Sequence, residues 1–374
     1  MPEIWLRYGN TDIVLDIRFE NLYKEIRSDF PTIAQEKMDL FLQNIALKDK
    51  SLIVVLSASN ATNEVLFRLI QKAHDKRLSG ISIGIVPKLH GIVETKNSPY
   101  NLLLLNENES VSSLIDMISK FDRTIFLSQT SFDPLFGFSG APTSIIRNFM
   151  KSKMSEAFSL RSKDLPNAGI IGEPYRLALT ACSNINAMSI EVVATTRGIS
   201  DIYFGSMEES FSYATSQLLN KGIINEDYVK STIISPGNQA MAQLTLAESL
   251  NSLWNSLQII KEKGSAILLA ESRNGLGAQA LQMFVEGRLN PNEPKKSKTY
   301  IDGQEHITFI QETAQRYDLG IISTLPEYYL KNKLGFSTYS SLKEVLDNLM
   351  SRHGMHHKVL VLSDADITLV RPKS

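Results

Sequence analysis

The chain has 374 residues, 43 % hydrophobic and 21 % charged, enough for about two ordinary soluble domains. Its 39 basic and 40 acidic residues give a net charge of -1, without the basic excess of a nucleic-acid or membrane-surface binder. One cysteine, Cys182, and six histidines exclude an internal disulfide framework and a thiolate zinc site, and leave little for any transition metal.

The first twenty residues alternate apolar and charged side chains and lack the apolar core of a signal peptide. No run of about 18 apolar residues exists to span a membrane. With a single cysteine, a cytoplasmic protein is expected.

Glu3–Tyr8 and Thr11–Ile17 read as a hairpin turning at Gly9-Asn10. An amphipathic helix follows over Thr32–Ile45. Leu52–Leu56 is a continuous apolar run, the pattern of a parallel strand covered on both faces. Asn63–Ala73 is helical, with Val65, Leu66, Leu69 and Ile70 on one side. Gly80–Val86 is a second buried strand, which completes a βαβ unit, and Thr124–Leu127 adds a third.

The middle of the chain is less regular. A helix over Pro142–Met150 leads into a polar stretch at Lys151–Lys163. Ile190–Ala194 and Asp201–Phe204 pair around Arg197-Gly198, and a helix covers Glu208–Lys221. Strand Thr232–Ile234 opens a second α/β pattern, followed by a long helix over Ala240–Lys263, strand Ala266–Ala270 and a helix to Gly287. Asn290–Lys296 is a solvated loop. Helix His306–Tyr317, strand Gly320–Ser323, helix Ser341–Arg352 and two short strands within Lys358–Val370 close the chain. The expectation is an α/β protein of two domains with mainly parallel sheets and a cleft between them. The first would span 1–228, joined by 358–374, and the second 229–357.

In such folds ligands sit at strand carboxyl ends, so the turns there are the candidate sites. Ser59 and Asn60, in the turn after Leu56, can cap a helix or present N–H groups to an anion. His90 follows the second buried strand, beside Lys88 and Gly91, where an imidazole suits proton transfer. Phe132–Ser144 is richer: Ser139 can cap, Gly140 lets backbone approach a ligand, Pro142 suits a first helical turn, and Asp133 can act as a base. Arg273, ahead of Gly275 and Gly277, can hold a carboxylate through paired N–H bonds. His353, His356 and His357 read as a helix stop beside Gly354 rather than a metal set.

Taken in order, these features resemble the nickel-dependent lactate racemase family over nearly the whole chain. The resemblance rests on the hairpin Leu6–Ile17, the strand and turn Val55–Asn63, His90, Gly137-Phe138-Ser139-Gly140, the turn Arg273-Asn274-Gly275-Leu276-Gly277 and the closing strands. It implies interconversion of D- and L-2-hydroxy acids by hydride transfer to and from a nickel pincer nucleotide, with two histidines exchanging the hydroxyl proton. His90 matches one of those histidines, and Asp133 stands where the other falls.

The resemblance also exposes departures. The family's cofactor-bearing lysine, in a Gly-Gly-Arg-Lys-Ser run, falls on Thr143 of Gly140-Ala141-Pro142-Thr143-Ser144, and a threonine cannot make a thioamide link to an amine. The nickel-ligating histidine has no counterpart, because no histidine occurs between His90 and His306. The family's Asp-His-Thr-Arg turn aligns with Ser59-Asn60-Ala61-Thr62, and its Gln and Lys on the long second-domain helix fall near Leu246 and Ser249.

The resemblance thus assigns His90 and Asp133 as an acid–base pair. Ser139, Gly140, Thr143 and Ser144 fall on the cofactor side, and Ser59, Asn60, Arg273, Gly275 and Gly277 on the substrate side. The implied activity is racemase or epimerase action on a 2-hydroxy acid in the inter-domain cleft. The alternative is a non-catalytic or differently catalytic relative that binds a small anionic metabolite without the nickel nucleotide. Neither reading involves a nucleic-acid polymer or a membrane.

Overall fold

The computed structural model describes residues 3–28, 30–89, 93, 100–105, 110–161, 165–237, 244–290 and 300–373. His90 and much of the loop Asn290–Lys296 lie outside them. The chain divides into two units: Phe30–Arg161 with Gly169–Lys221, and Met1–Asp29 with Ser162–Ala168 and Gly222–Ser374.

The first unit is built on a six-stranded sheet in the order Gly198–Ser206, Met188–Thr195, Arg123–Gln129, Ser51–Val55, Ser82–Ile85, Asn101–Leu104. Its neighbours are parallel except for the hairpin of 188–195 and 198–206. Strand 51–55 is central because its side chains are apolar on both faces, and every residue in it is buried. Fully burying Leu52, Ile53, Val54 and Val55 contributes about 2 kcal/mol per side chain. Helix Asn60–Asp75 turns Val65, Leu66, Leu69 and Ala73 inward at helical spacing. It begins three residues before the expected start because Ser59 and Thr62 form a reciprocal cap.

From strand 51–55 the chain adds strands 82–85 and 101–104 on one side, then returns to lay strand 123–129 on the other. The topological switch point therefore lies between strands 51–55 and 123–129. The turns leaving their carboxyl ends are bonded directly, since the Gln129 N–H donates to the Ser57 hydroxyl at 2.6 Å. The stretch 151–163, read as merely polar, contains the helix Lys151–Ser159, which buries Met154 and Ala157.

The second unit carries a parallel sheet in the order Ser337–Thr338, Asp318–Ile322, Ile260–Leu269, Val229–Ile234, Val359–Leu362, Leu22–Ile26. One face packs on the hairpin Glu3–Tyr8 and Thr11–Asp16 through Ile4, Leu6, Leu15 and Ile17, together with Val345 and Leu349. The other face buries Leu250, Leu253, Trp254 and Phe309. There the indole N–H of Trp254 donates to His306 Nδ1 at 3.0 Å, linking helices Leu246–Ser256 and Gln304–Ala314.

Two expectations change here. Residues 1–29 and 222–228 lie in the same unit as 358–374 and as the second sheet, because strand 22–26 pairs with 359–362 and Ile223–Glu226 pairs with Leu369–Pro372. The helix expected over 240–263 is shorter. Thr245 caps it with Glu248, it ends at Ser256, and 260–269 is strand.

No helix among the described residues is long and apolar enough to cross a membrane.

Candidate functional site

The switch point of the first sheet gathers most of the predicted residues of that unit. Strand 123–129 runs into a tight hairpin, Ser131–Asp133 against Gly137–Ser139, and then into helix Ala141–Phe149. Asp133 closes the hairpin. Its Oδ1 accepts the N–H groups of Leu135 at 2.8 Å and Phe136 at 2.7 Å. Arg147, one helix away, reaches both carboxylate oxygens, at 3.2 and 2.9 Å. The guanidinium also lies over the Phe136 ring, 5.2 Å from its centroid. Asp133 is 7 % exposed, so the residue expected as a proton acceptor is held by two backbone donors and an ion pair.

Ser139 does not cap the helix. Its hydroxyl pairs with that of Ser131 across the hairpin at 2.6 Å. Gly140 is the residue before the first turn, and the hydroxyl of Thr143 supplies the cap by accepting the Gly140 N–H at 2.9 Å. Thr143 is 1 % exposed and also donates to the Gly140 carbonyl at 3.1 Å. Gly140 admits no side chain: a Cβ there would sit 2.4 Å from the Phe211 ring. Ser144 is half-buried, and its carbonyl accepts from Asn148 at 2.7 Å.

The N–H of Ala141, aimed where a ligand anion would bind, is already taken. Glu191, on strand 188–195, accepts it on Oε1 at 2.8 Å. Oε2 of Glu191 accepts from Ser128 at 2.7 Å and Thr130 at 2.8 Å. The side chain is fully buried. Burial pushes its carboxyl up to about 7, against the pull of the Ala141, Ser128 and Thr130 donors. The helix start is thus neutralised from inside the protein. Cys182 packs behind it, with Sγ 3.6 Å from the Pro142 carbonyl, and burial pushes that thiol up to about 12.

On the other side of the switch point, Ser59 caps helix 60–75 and is bonded to Thr62, while Asn60 is exposed. Two buried amide oxygens remain without a donor here: Oδ1 of Asn63, in the first turn of that helix, and Oε1 of Gln129, at the end of strand 123–129. Each is an acceptor held ready at the edge where α/β sheets take ligands.

Arg273, Gly275 and Gly277 belong to the second unit. Their turn serves helix 246–256: the carbonyls of Gly275 and Leu276 accept the N–H groups of Leu246 and Ala247 at 3.0 and 3.1 Å. Gly277 approaches Thr245 so closely that a Cβ would meet its hydroxyl. Arg273 is exposed.

Glu191, Ser128, Thr130 and Arg147 were absent from the sequence-based candidates. For Glu191 a signal existed, a lone carboxylate inside the apolar run Ile190–Ala194, since a charge on a buried strand requires partners.

These residues do not fit a covalently held nickel nucleotide. Thr143 offers no amine, is buried, and spends its hydroxyl on the helix cap. Among the described residues no three His, Cys, Asp or Glu side chains converge as a metal set.

The lactate racemase apoprotein from Thermoanaerobacterium thermosaccharolyticum superposes on this chain with a TM-score of 0.77 at 14 % identity, covering 99 % of this chain and 100 % of that one. A protein from Thermotoga maritima superposes with a TM-score of 0.62, also at 14 % identity, covering 90 % and 97 %. No protein-family model and no curated protein matches the chain. The chain therefore has a lactate-racemase-like α/β fold with mainly parallel sheets, and at this identity the likeness is one of fold.

Proposed function

We propose that this protein uses a lactate-racemase-like fold without the covalently attached nickel nucleotide. In this reading it binds a small hydroxy acid or similar polar anion where strands 51–55 and 123–129 part. The observation that carries it is the Glu191 carboxylate on the Ala141 N–H, which fills the helix start at 140–144 from within. What remains on offer at the same sheet edge is the first turn of helix 60–75, capped by the neutral hydroxyl of Ser59 and without an acidic residue, and the acceptors of Asn63 and Gln129. A hydroxy acid complements both: its carboxylate suits the helix start, and its hydroxyl can donate to an amide oxygen. His90, which follows strand 82–85 in the chain, is the residue on which any proton transfer would depend.

The test is thermal denaturation of the purified protein against D- and L-2-hydroxy acids, with metal and nucleotide analysis of the same sample. A hydroxy acid that raises the Tm, and does so less in Asn63→Ala, supports the reading. Stoichiometric nickel nucleotide in the preparation would overturn it, as would indifference to every hydroxy acid. Turnover of the stabilising compound that disappears in His90→Ala would make the protein an enzyme; stabilisation without turnover would make it a binding protein.

A further inference from the structure

The sheet of the second unit has its own switch point. From strand 229–234 the chain builds outward through 260–269, 318–322 and 337–338, then returns to place 359–362 on the other side. The carboxyl ends of 229–234 and 359–362 are tied together, since Ser235 N–H donates to Leu362 at 2.8 Å, Ala365 N–H to Ser235 at 3.0 Å and Asp366 N–H to Pro236 at 3.1 Å. Two carboxylates converge on this crossing. A Cβ on Gly237, whose φ of +97° only glycine adopts readily, would stand 2.8 Å from Asp366 Oδ1 and 3.3 Å from Asp364 Oδ1. The backbone passes close to both carboxylates there without a side chain.

Neither charge is compensated in proportion to its burial. Both oxygens of Asp366 are inaccessible and have no well-aligned donor; the N–H groups of Asp366 and Ile367 lie close enough to favour the ionised form only weakly against burial. The nearby N–H groups of Asp366 and Ile367 donate instead to the carbonyls of Pro236 and Asp364. Asp364 Oδ2 accepts one bond, from Ser28 N–H at 2.9 Å, and the buried Ser28 hydroxyl has no partner. Glu25 adds a third negative charge nearby. Among the described residues Arg27 is the basic side chain that acts on this group, and it is half exposed and paired with Glu25 at 2.5 Å. Burial raises both aspartates above the usual carboxylate range, most strongly Asp366, with Glu25 adding to Asp364 and Asp364 adding to Asp366.

We propose that Asp364 and Asp366 bind a hard divalent cation of the magnesium or manganese class beside Gly237. Such ions take oxygen ligands and are commonly held by one or two carboxylates, with water completing the shell. Two carboxylates and an unpartnered hydroxyl, with no convergent histidine or thiolate among the described residues, suit that ion and not a soft one. This site lies in the second unit and is independent of the switch point proposed for the hydroxy acid.

The test is a titration of the full-length, chelator-treated protein at pH 7 with MgCl2, MnCl2 and CaCl2, against NaCl of matched ionic strength. Expected is a saturable rise in Tm of a few degrees, lost in Asp366→Asn and in Gly237→Ala, and loss of the free Mn2+ paramagnetic resonance signal on addition of wild-type protein. Asp366→Asn without cation should be more stable than wild type without cation. No saturable response in the wild type would overturn the proposal, and so would an Asp366→Asn variant that responds like it. Stabilisation by acid alone, with no cation response, would assign the pair a shared proton instead. The resonance measurement needs only the wild type, so it stands if a variant fails to fold.

Discussion

Glu191 accepts the N–H of Ala141 at 2.8 Å, so a carboxylate carried by the sheet sits at the start of helix 141–149. Three donors favour its ionised form, and full burial opposes it, leaving the carboxyl at about 7 against an ordinary 4.5. The unfolded chain releases this proton near 4.5 while the folded chain keeps it to about 7. Between those values the folded state binds more protons, so stability falls as pH rises, by about 3 kcal/mol over the window. Glu191→Gln removes the titration. Denaturation of wild type and Glu191→Gln at pH 5 and pH 8 should show the difference between them changing in this sense. An unchanged difference would count against the buried proton.

Thr143 likewise holds the start of helix 141–149. Its hydroxyl caps helix 141–149, and the side chain is buried. Thr143→Ser keeps the cap and should cost little; Thr143→Ala should cost about 1 kcal/mol. Thr143→Lys should destabilise more than either, because it buries an ammonium at a fully buried position. Thermal denaturation of the three variants gives the order. A lysine variant as stable as wild type would show that the position has room for a cofactor link.

Much of this fold could be read locally. Leu52–Leu56 announces a buried parallel strand by composition alone, and the hairpin about Arg197-Gly198 follows from its turn. Gly9-Asn10 marks the opening hairpin in the same way. What local pattern does not carry is partnership at long range. Leu22–Ile26 alternates too weakly to stand out, yet its pairing with Val359–Leu362 places the first twenty-nine residues in the second unit. The helix ahead of strand 260–269 looked longer because Leu257, Ile259 and Ile260 continue its apolar content. At the site, the surroundings of Asp133 and Thr143 are set by Arg147 and Gly140, whose hydrogen bonds to them form only in the folded chain.

Asp133 and Arg147 form a mostly buried, two-point ion pair that also anchors the hairpin at 131–139. Removing the carboxylate strips the Arg147 charge of this partner and leaves two N–H groups without an acceptor. Asp133→Ala should therefore cost about 3 kcal/mol, and Arg147→Ala rather less because it spares the backbone donors. A double-mutant cycle should give a coupling above about 1 kcal/mol. Additive losses would mean that the two side chains act independently.

His357, in the second unit, should respond to pH in the opposite sense to Glu191. His357 accepts or donates at the Ser231 hydroxyl, 2.8 Å away, with the His353 ring 4.7 Å from its own. Burial, then His353, then Lys230 depress its pKa to about 4 from an ordinary 6.5. The unfolded chain takes up this proton near 6.5, and the folded chain resists it, so stability is lost as pH falls from 6.5 toward 4. The ring is partly exposed, and solvent screening reduces the size of the effect without changing its sign. Whole-protein melting would blend this loss with the gain from Glu191, since a chain of two units need not unfold in one step. Hydrogen exchange resolved by peptide separates them. Between pH 7 and pH 5, peptides from strands 359–362 and 229–234 should lose protection in wild type relative to His357→Gln, a comparison in which the raised carboxyls of Asp364 and Asp366 are common to both. Peptides from strand 188–195 should gain protection after correction for the intrinsic exchange rate, and His357→Gln should leave that gain in place. A difference between wild type and His357→Gln that does not change with pH would contradict the assignment of His357.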